Sequence, residues 1–344
     1  MIRDRWWRGR RTRRFTLQWH LTNACPFHCR HCYDRSVRDE LDRTEVLRVL
    51  EQLTAFARLH RVQPALSLTG GDPLHSPHFW AVYEHAAASG WPLSVLGNPV
   101  SPEIVARLCA VRRPDTYQVS LEGLRDHNDF IRGAGHFDRV MTFLAECRRQ
   151  GVSTHVMLTL TRDNLNQVIP LGRELRGWTE RFTFNRLAQV GEGAALALPS
   201  TQAFEGFLAE YLHERRTNPV LGLKDNLFNV VGERHGRAPF AGCTGHGCGA
   251  AFNFVALLPD GEVHACRKLP SRLGNLRTHS LTEIYATPLA AAYRAGPQAC
   301  QDCRLQTHCR GCPAVTHGSG LDPLRNRDPF CTRGKEPGVR PRSE

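Results

Sequence analysis

Eleven of the thirteen cysteines in this 344-residue chain fall into two groups, Cys25 to Cys32 and Cys243 to Cys331. Their spacings do not make a disulfide scaffold in a chain of this size, and in a reducing compartment such clustering points to metal. The last third should then be organised by metal clusters more than by a large apolar core, in keeping with its weak periodicity from about Cys243 onward. Cys109 and Cys147 stand alone on helical patterns and read as buried structural thiols.

From Phe15 to about Ala188 short apolar runs alternate with longer helical ones. The runs at Leu17 to Leu21, Ala65 to Thr69, Leu93 to Leu96, Tyr117 to Leu121, His155 to Leu160 and Arg181 to Leu187 predict strands. Helical patterns lie between them, near Thr44 to Leu59, Pro77 to Ser89, Pro102 to Val111, Phe137 to Gln150 and Asn166 to Leu175. In the first, Val46, Val49, Leu50, Leu53 and Phe56 recur on one helix face. Six such alternations predict an α/β fold with a parallel sheet and outer helices, and six units rather than eight predict a partial (β/α)6 barrel. A small-residue stretch from Gly191 to Ala197 leads to one more helix, capped by Ser200 or Thr201.

Chemistry in such folds gathers at the C-terminal ends of the strands. The polar signals fall there: a cysteine loop after the first strand, Gly70-Gly71-Asp72-Pro73 after the second, Asn98 after the third, and Ser120 with Glu122 and Gly123 at the fourth. The loop reads Cys25-x3-Cys29-x2-Cys32. Three thiolates on one short loop can hold three irons of a [4Fe-4S] cubane and leave the fourth open to a ligand. Paired glycines let backbone approach a ligand closely, and the neighbouring carbonyls and carboxylate can accept from an ammonium group.

On these residues the chain resembles the radical S-adenosylmethionine (SAM) enzymes, whose open iron is chelated by the amino and carboxylate groups of SAM. Many relatives carry an aromatic residue just before the last cysteine; here His31 stands there and Tyr33 follows. Gly70, Gly71, Asp72 and Pro73 resemble the family's GGEP segment, with Asp for Glu, which implies contact with the SAM amino group. Ser120-Leu121-Glu122-Gly123, His127 and Arg132-Gly133 resemble its SLDG…HD…RG stretch. By that resemblance Ser120 lies near the SAM ribose and Arg132 near its carboxylate. Glu122 and Asn128 each replace a family Asp, and the resemblance leaves their roles open. Thr159 and Asn98 end strands at the same rim, where structural capping explains them equally well.

The second group reads Cys243-x4-Cys248-x17-Cys266, then Cys300-x2-Cys303-x5-Cys309-x2-Cys312-x18-Cys331. Eight cysteines suit two fully ligated cubanes. Zinc knuckles are the alternative, although five residues between two C-x2-C pairs is tight for them. With Gly261 ahead of Cys266, the arrangement resembles the SPASM domain of peptide-modifying radical SAM enzymes, apart from x2 in place of x3 before Cys312. The resemblance implies that Cys243, Cys248, Cys266 and Cys312 hold the nearer auxiliary cluster, and Cys300, Cys303, Cys309 and Cys331 the outer one. Spacing alone would instead pair Cys309 with Cys312.

Composition narrows the function classes. The formal net charge is +12, and the first fourteen residues hold seven arginines against one aspartate. That arm is either a solvated tail or an electrostatic handle for an acidic partner, with Trp6 and Trp7 available to stack. No other feature resembles a nucleic-acid-binding fold, so nucleic acid is disfavoured. The sequence holds no apolar run long enough to span a membrane and no secretory signal, since Arg13-Arg14 is followed by residues too polar for a twin-arginine signal; a cytoplasmic protein is expected.

The expected division is a basic arm over 1–14, the barrel over 15–190, a linker and bridging helix over 191–242, the SPASM domain over 243–335 and a loose tail over 336–344. The resemblance implies SAM and three [4Fe-4S] clusters, reduced by a flavodoxin or ferredoxin. It further implies cleavage of SAM to a 5′-deoxyadenosyl radical that removes hydrogen from a ribosomally synthesised peptide, with an acidic leader as one option. A sulfatase-type protein maturase and a haem or small-molecule enzyme are the alternatives. A non-catalytic electron carrier is disfavoured, because a carrier gains nothing from an iron that lacks a ligand. No general acid or base is assigned: the residue after Cys266 is Arg267, not a carboxylate.

Overall fold

The computed structural model describes residues 14–240 and 247–333. The arginine arm up to residue 13, Cys243 and the C-terminal tail lie outside the described residues.

Six strands and their helices follow the predicted order: β1 (Arg14–Thr22), α1 (Arg43–His60), β2 (Gln63–Gly70), α2 (Phe79–Ala88), β3 (Leu93–Leu96), α3 (Pro102–Arg112), β4 (Thr116–Ser120), α4 (Arg125–Arg132), α5 (His136–Arg149), β5 (Thr154–Leu160), α6 (Val168–Glu174) and β6 (Arg181–Arg186). The strands pair in parallel in sequence order, from β1 with β2 to β5 with β6. The partial barrel is therefore present. In α1 the predicted face is buried at Val46, Val49, Leu50, Leu53 and Phe56, and Asp42 closes its N-terminus in a capping box with Glu45. Each such side chain removed from water contributes roughly 1.5–3 kcal/mol. Phe15, Trp19, Tyr117, Phe182 and Phe184, at most 1% exposed, carry the core across the sheet.

Beyond β6 come α7 (Thr201–Glu214) and α8 (Phe228–Arg234). Ser200, not Thr201, caps α7, accepting a hydrogen bond from the Ala203 N–H. The cysteine-rich part is more regular than its periodicity predicts. It contains β7 (Phe254–Leu257), β8 (Glu262–Cys266), β9 (Leu269–Asn275), α9 (Leu281–Ala286), α10 (Pro288–Ala295) and α11 (Pro313–Gly318).

β7 pairs in parallel with β1, and β8 and β9 extend from it as antiparallel strands. The result is one nine-stranded sheet in the order β6-β5-β4-β3-β2-β1-β7-β8-β9. Gly261 makes the β7–β8 turn at φ +84°, where a side chain would meet Asn275. At the other flank Arg186 is buried between Asp225 and Asp328, donating to Asp225 at 2.7 Å and to both Asp328 oxygens at 2.8 and 2.6 Å. None of the described helices is long and apolar enough to cross a membrane.

Candidate active site

The cysteine loop leaves the end of β1, and the glycine pair at the end of β2 makes room for it. A Cβ on Gly70 would stand 2.1 Å from the Thr22 carbonyl oxygen, and one on Gly71 would stand 2.4 Å from that of Ala24. The Gly71 and Asp72 N–H groups donate to the Thr22 and Ala24 carbonyls, each at 2.8 Å. The glycines thus let the β2 exit lie flat on the root of the loop.

Further along, the Arg30 N–H donates to the Ile131 carbonyl and the Glu192 N–H to that of Cys32. Gly191, at φ +57°, passes so close to Cys32 and Tyr33 that any side chain would strike their carbonyls. The loop is therefore fastened at its start, middle and end.

Cys25, Cys29 and Cys32 line a cavity of about 470 Å³ at the C-terminal edge of the strands. Gly70, Gly71, Ser120 and Arg132 line it too, as do Asn98 and Thr159. Asp72 and Pro73 are buried behind this wall. The Asp72 carboxylate is committed to the Leu74 N–H and to the Asn98 amide at 3.1 Å. That amide also approaches Cys25 Sγ at 3.8 Å, and Arg132 Nη1 approaches Cys29 Sγ at 3.9 Å. Burial raises the Cys25 and Cys29 thiols above the usual range, Arg132 opposing it at Cys29, and every cysteine among the described residues is unbridged. Three unbridged thiols facing one cavity, two with N–H donors aimed at sulfur, fit an iron-sulfur cluster with an open iron.

Arg132 is not free to meet an incoming carboxylate alone. Its Nε and Nη2 donate to Glu122 Oε1 at 2.9 and 2.6 Å. His31 Nε2 lies 3.2 Å from the same oxygen, and the Thr159 N–H donates to Oε2 at 2.7 Å. Burial would push the Glu122 carboxyl up, but His31 and Arg132 together hold it well below the usual carboxylate range. Asn128, fully buried, accepts from the Glu122 N–H and donates to His136 Nδ1. Burial and Arg132 lower the His136 pKa to about 3.

Sequence reasoning left Glu122 and Asn128 open; they brace Arg132. It also left the β8–β9 turn aside, yet Arg267 and Lys268 both reach this cavity. A dibasic pair directly after a cysteine of the metal pattern was the available signal. Burial and neighbouring Arg267 lower the Lys268 pKa to about 8.

A second cavity, about 380 Å³, is lined by Cys300, Cys303, Cys309 and Cys331. Arg333 Nη1 donates to Cys303 Sγ at 2.7 Å and the Gly311 N–H to Cys309 Sγ at 3.4 Å. Cys312 does not line it. Its thiol is raised to about 12 by burial, Arg186 opposing, and it packs with Cys266 against Ala188, Leu269 and Ala314; its N–H donates to Asp328 at 2.8 Å. Burial likewise raises Cys300 to about 11.

Family models match this chain twice: the radical SAM superfamily over residues 19–175, and the SPASM iron-sulfur cluster-binding domain over residues 248–313. The chain is 30% identical to the mycofactocin maturase MftC of Mycobacterium ulcerans, over 92% of its own length and 88% of that relative. It is 25% identical to the AdoMet-dependent heme synthase of Methanosarcina barkeri, over 92% and 95% of the two lengths. Among solved structures, Streptococcus suis SuiB bound to its precursor peptide SuiA shares the fold at a TM-score of 0.70 and 18% identity, covering 92% of this chain and 76% of that one. The anSMEcpe structure with bound AdoMet and Cp18Cys peptide does so at 0.67 and 16%, covering 92% and 94%. The chain belongs to the radical SAM enzymes that carry a C-terminal SPASM domain, and it uses SAM and iron-sulfur clusters.

Proposed function

We propose that this enzyme modifies a ribosomally made peptide after translation, starting from hydrogen abstraction in the cavity faced by Cys25, Cys29 and Cys32. When bound, the cofactors supply the electron that cleaves SAM and the 5′-deoxyadenosyl radical that takes the hydrogen. The three cysteines would hold the SAM-binding cluster. Gly70 and Gly71, with Asp72 and Pro73 behind them, would shape the seat of the SAM amino group. Ser120 would face the ribose, and Arg132, braced by Glu122, the carboxylate.

Cys300, Cys303, Cys309 and Cys331 would hold the outer auxiliary cluster. Their common cavity, with Cys312 outside it and packed with Cys266 against the same small apolar cluster, supports interleaved ligand sets over the pairing that spacing alone favours. Cys243, Cys248, Cys266 and Cys312 would hold the nearer one, for three [4Fe-4S] clusters in all. A flavodoxin or ferredoxin would deliver the electron in the cytoplasm, where reducing conditions keep these thiols available. The functional division would remain barrel over 15–190, bridge over 191–242 and SPASM domain over 243–335, although one sheet runs through both lobes.

The observation that carries the peptide reading is 30% identity to a mycofactocin maturase along nearly the whole of both chains. The heme synthase match over equally long stretches favours a second reading, a haem precursor as substrate. Anaerobically reconstituted enzyme, given SAM and reductant, is incubated with short peptides encoded beside its gene and, separately, with a haem precursor. Expected are 5′-deoxyadenosine and a changed mass for one peptide. Substrate-dependent SAM cleavage with the haem precursor alone would overturn the peptide reading.

A further inference from the structure

β8 ends at Cys266 and β9 starts at Leu269, with those two residues paired, so Arg267 and Lys268 form the entire hairpin turn. Two-residue hairpin turns favour Gly, Asn or Asp at positions of positive φ. Here neither residue has a positive φ, and both are long cations. Turn chemistry does not explain them. Both line the cavity that holds the three loop thiols.

The carboxylates around that cavity are held by other partners, and Lys268 faces the Cys266 and Cys312 thiols and Glu122 without an ion pair to any carboxylate. Arg132 is taken by Glu122, and Arg35 is held at the exposed edge by His28 and the Cys29 carbonyl. Asp34, an acid on the cavity wall, is held by Ser36 and Asn23 and faces Arg38. Arg267 donates to the neutral Thr69 hydroxyl at 3.4 Å, at the end of β2 beside the glycine pair. Among the described residues no carboxylate forms an ion pair with Arg267 or Lys268. Adjacent cations in a partly buried cavity repel one another, and an anion between them removes that cost. SAM carries one carboxylate, assigned above to Arg132, and two positive groups; its net positive charge is offset by the three-thiolate cluster that it would bind, so neither supplies an anion to this pair.

We propose that Arg267 and Lys268 form a carboxylate-binding subsite that selects substrates presenting a carboxylate near the reacting atom. This rests on the peptide reading for the source of the carboxylate, a chain terminus or an Asp or Glu side chain, but not for its chemistry. The guanidinium offers a planar fork to both oxygens and the ammonium a mobile point charge.

The test uses SAM-loaded holoenzyme and three small probes: N-acetyl-Ala-Ala as free acid, its C-terminal amide, and N-acetyl-Glu-Ala amide. Affinity is read from broadening of the acetyl methyl resonance by the paramagnetic clusters, and the SAM-bound reduced cluster is followed by EPR. At least one carboxylate probe should bind roughly tenfold or more tightly than the neutral amide. Preference for the first or third probe identifies the source. The preference should fall below about twofold in Arg267→Gln/Lys268→Met and survive in Arg267→Lys/Lys268→Arg.

Equal binding of all three probes to the unmutated enzyme overturns the proposal, as does a neutral variant that keeps the preference. SAM affinity lost in that variant with probe preference intact would mean that the pair serves SAM, and also overturns it. If the neutral variant loses iron, the unmutated enzyme and the charge-swapped variant still decide. A carboxylate-bearing haem precursor found as the substrate would sink the peptide reading while leaving this preference standing.

Discussion

A carboxylate that is only 1% exposed must find partners for both oxygens, and Glu122 finds them in the Arg132 guanidinium, His31 and the Thr159 N–H. Replacing it by Gln leaves Arg132 a buried cation without its counter-charge. The expected cost is roughly 3–5 kcal/mol, read as a lower urea midpoint of anaerobic holoenzyme, together with weaker SAM binding. The pH dependence follows from the depressed carboxyl. Its contribution is complete above the ordinary glutamate pKa of about 4.3 and is lost only as pH falls through the folded value. The deficit of Glu122→Gln should therefore be equal at pH 7 and pH 5. A deficit that disappears at pH 5 would mean that Glu122 titrates there and does not hold Arg132 in the way described.

At the scale of elements, the glycine pair shows how a loop motif depends on a neighbouring strand. The Gly71→Ala Cβ would meet backbone carbonyls of Asn23 and Ala24, which cannot rotate away as a side chain would, so the loop root must shift. Iron should fall by about one cubane, roughly four atoms, with loss of the EPR signal that responds to SAM while the auxiliary signals persist. Full iron content would show that the loop tolerates the shift. The barrel elements were legible because their periodicities are long and clean: the buried face of α1 and the β5 run from Thr154 to Leu160 pair local pattern with burial.

β7 to β9 were not legible. β7 is four residues long, β9 contains Pro270 and Gly274, and both are stabilised by cross-strand pairing to distant segments. The cysteine loop and the glycine pair could be read from spacing. The Glu122 brace could not, since it exists only where the fold joins Glu122 with His31 and Arg132; the dibasic pair after Cys266 was visible as residues, but its place on the cavity beside Thr69 was not.

Taken whole, the molecule is one sheet bearing two lobes, and Arg186 ties its barrel end to the cysteine-rich segment. It sits at the end of β6, its guanidinium shared between Asp225 and Asp328 and flanked by the Phe204 and Phe330 rings at 5.2 and 5.3 Å. Asp328 also accepts from the Cys312 N–H and borders the cavity lined by Cys300, Cys303, Cys309 and Cys331. One carboxylate thus borders both proposed auxiliary ligand sets. In Arg186→Met two buried carboxylates lose their common cation, so stability should fall by roughly 3–5 kcal/mol. The damage should be local, because the cysteine loop leaves β1, rests on the β2 exit and, among the described residues, shares no hydrogen bond or ion pair with this triad. Auxiliary-cluster EPR intensity should drop while the SAM-responsive signal persists. Arg186→Lys should rescue poorly, since one ammonium cannot reproduce a fork that reaches two carboxylates at once. Loss of all three signals together would mean that the clamp supports the whole sheet, and unchanged signals with unchanged stability would mean that it couples nothing.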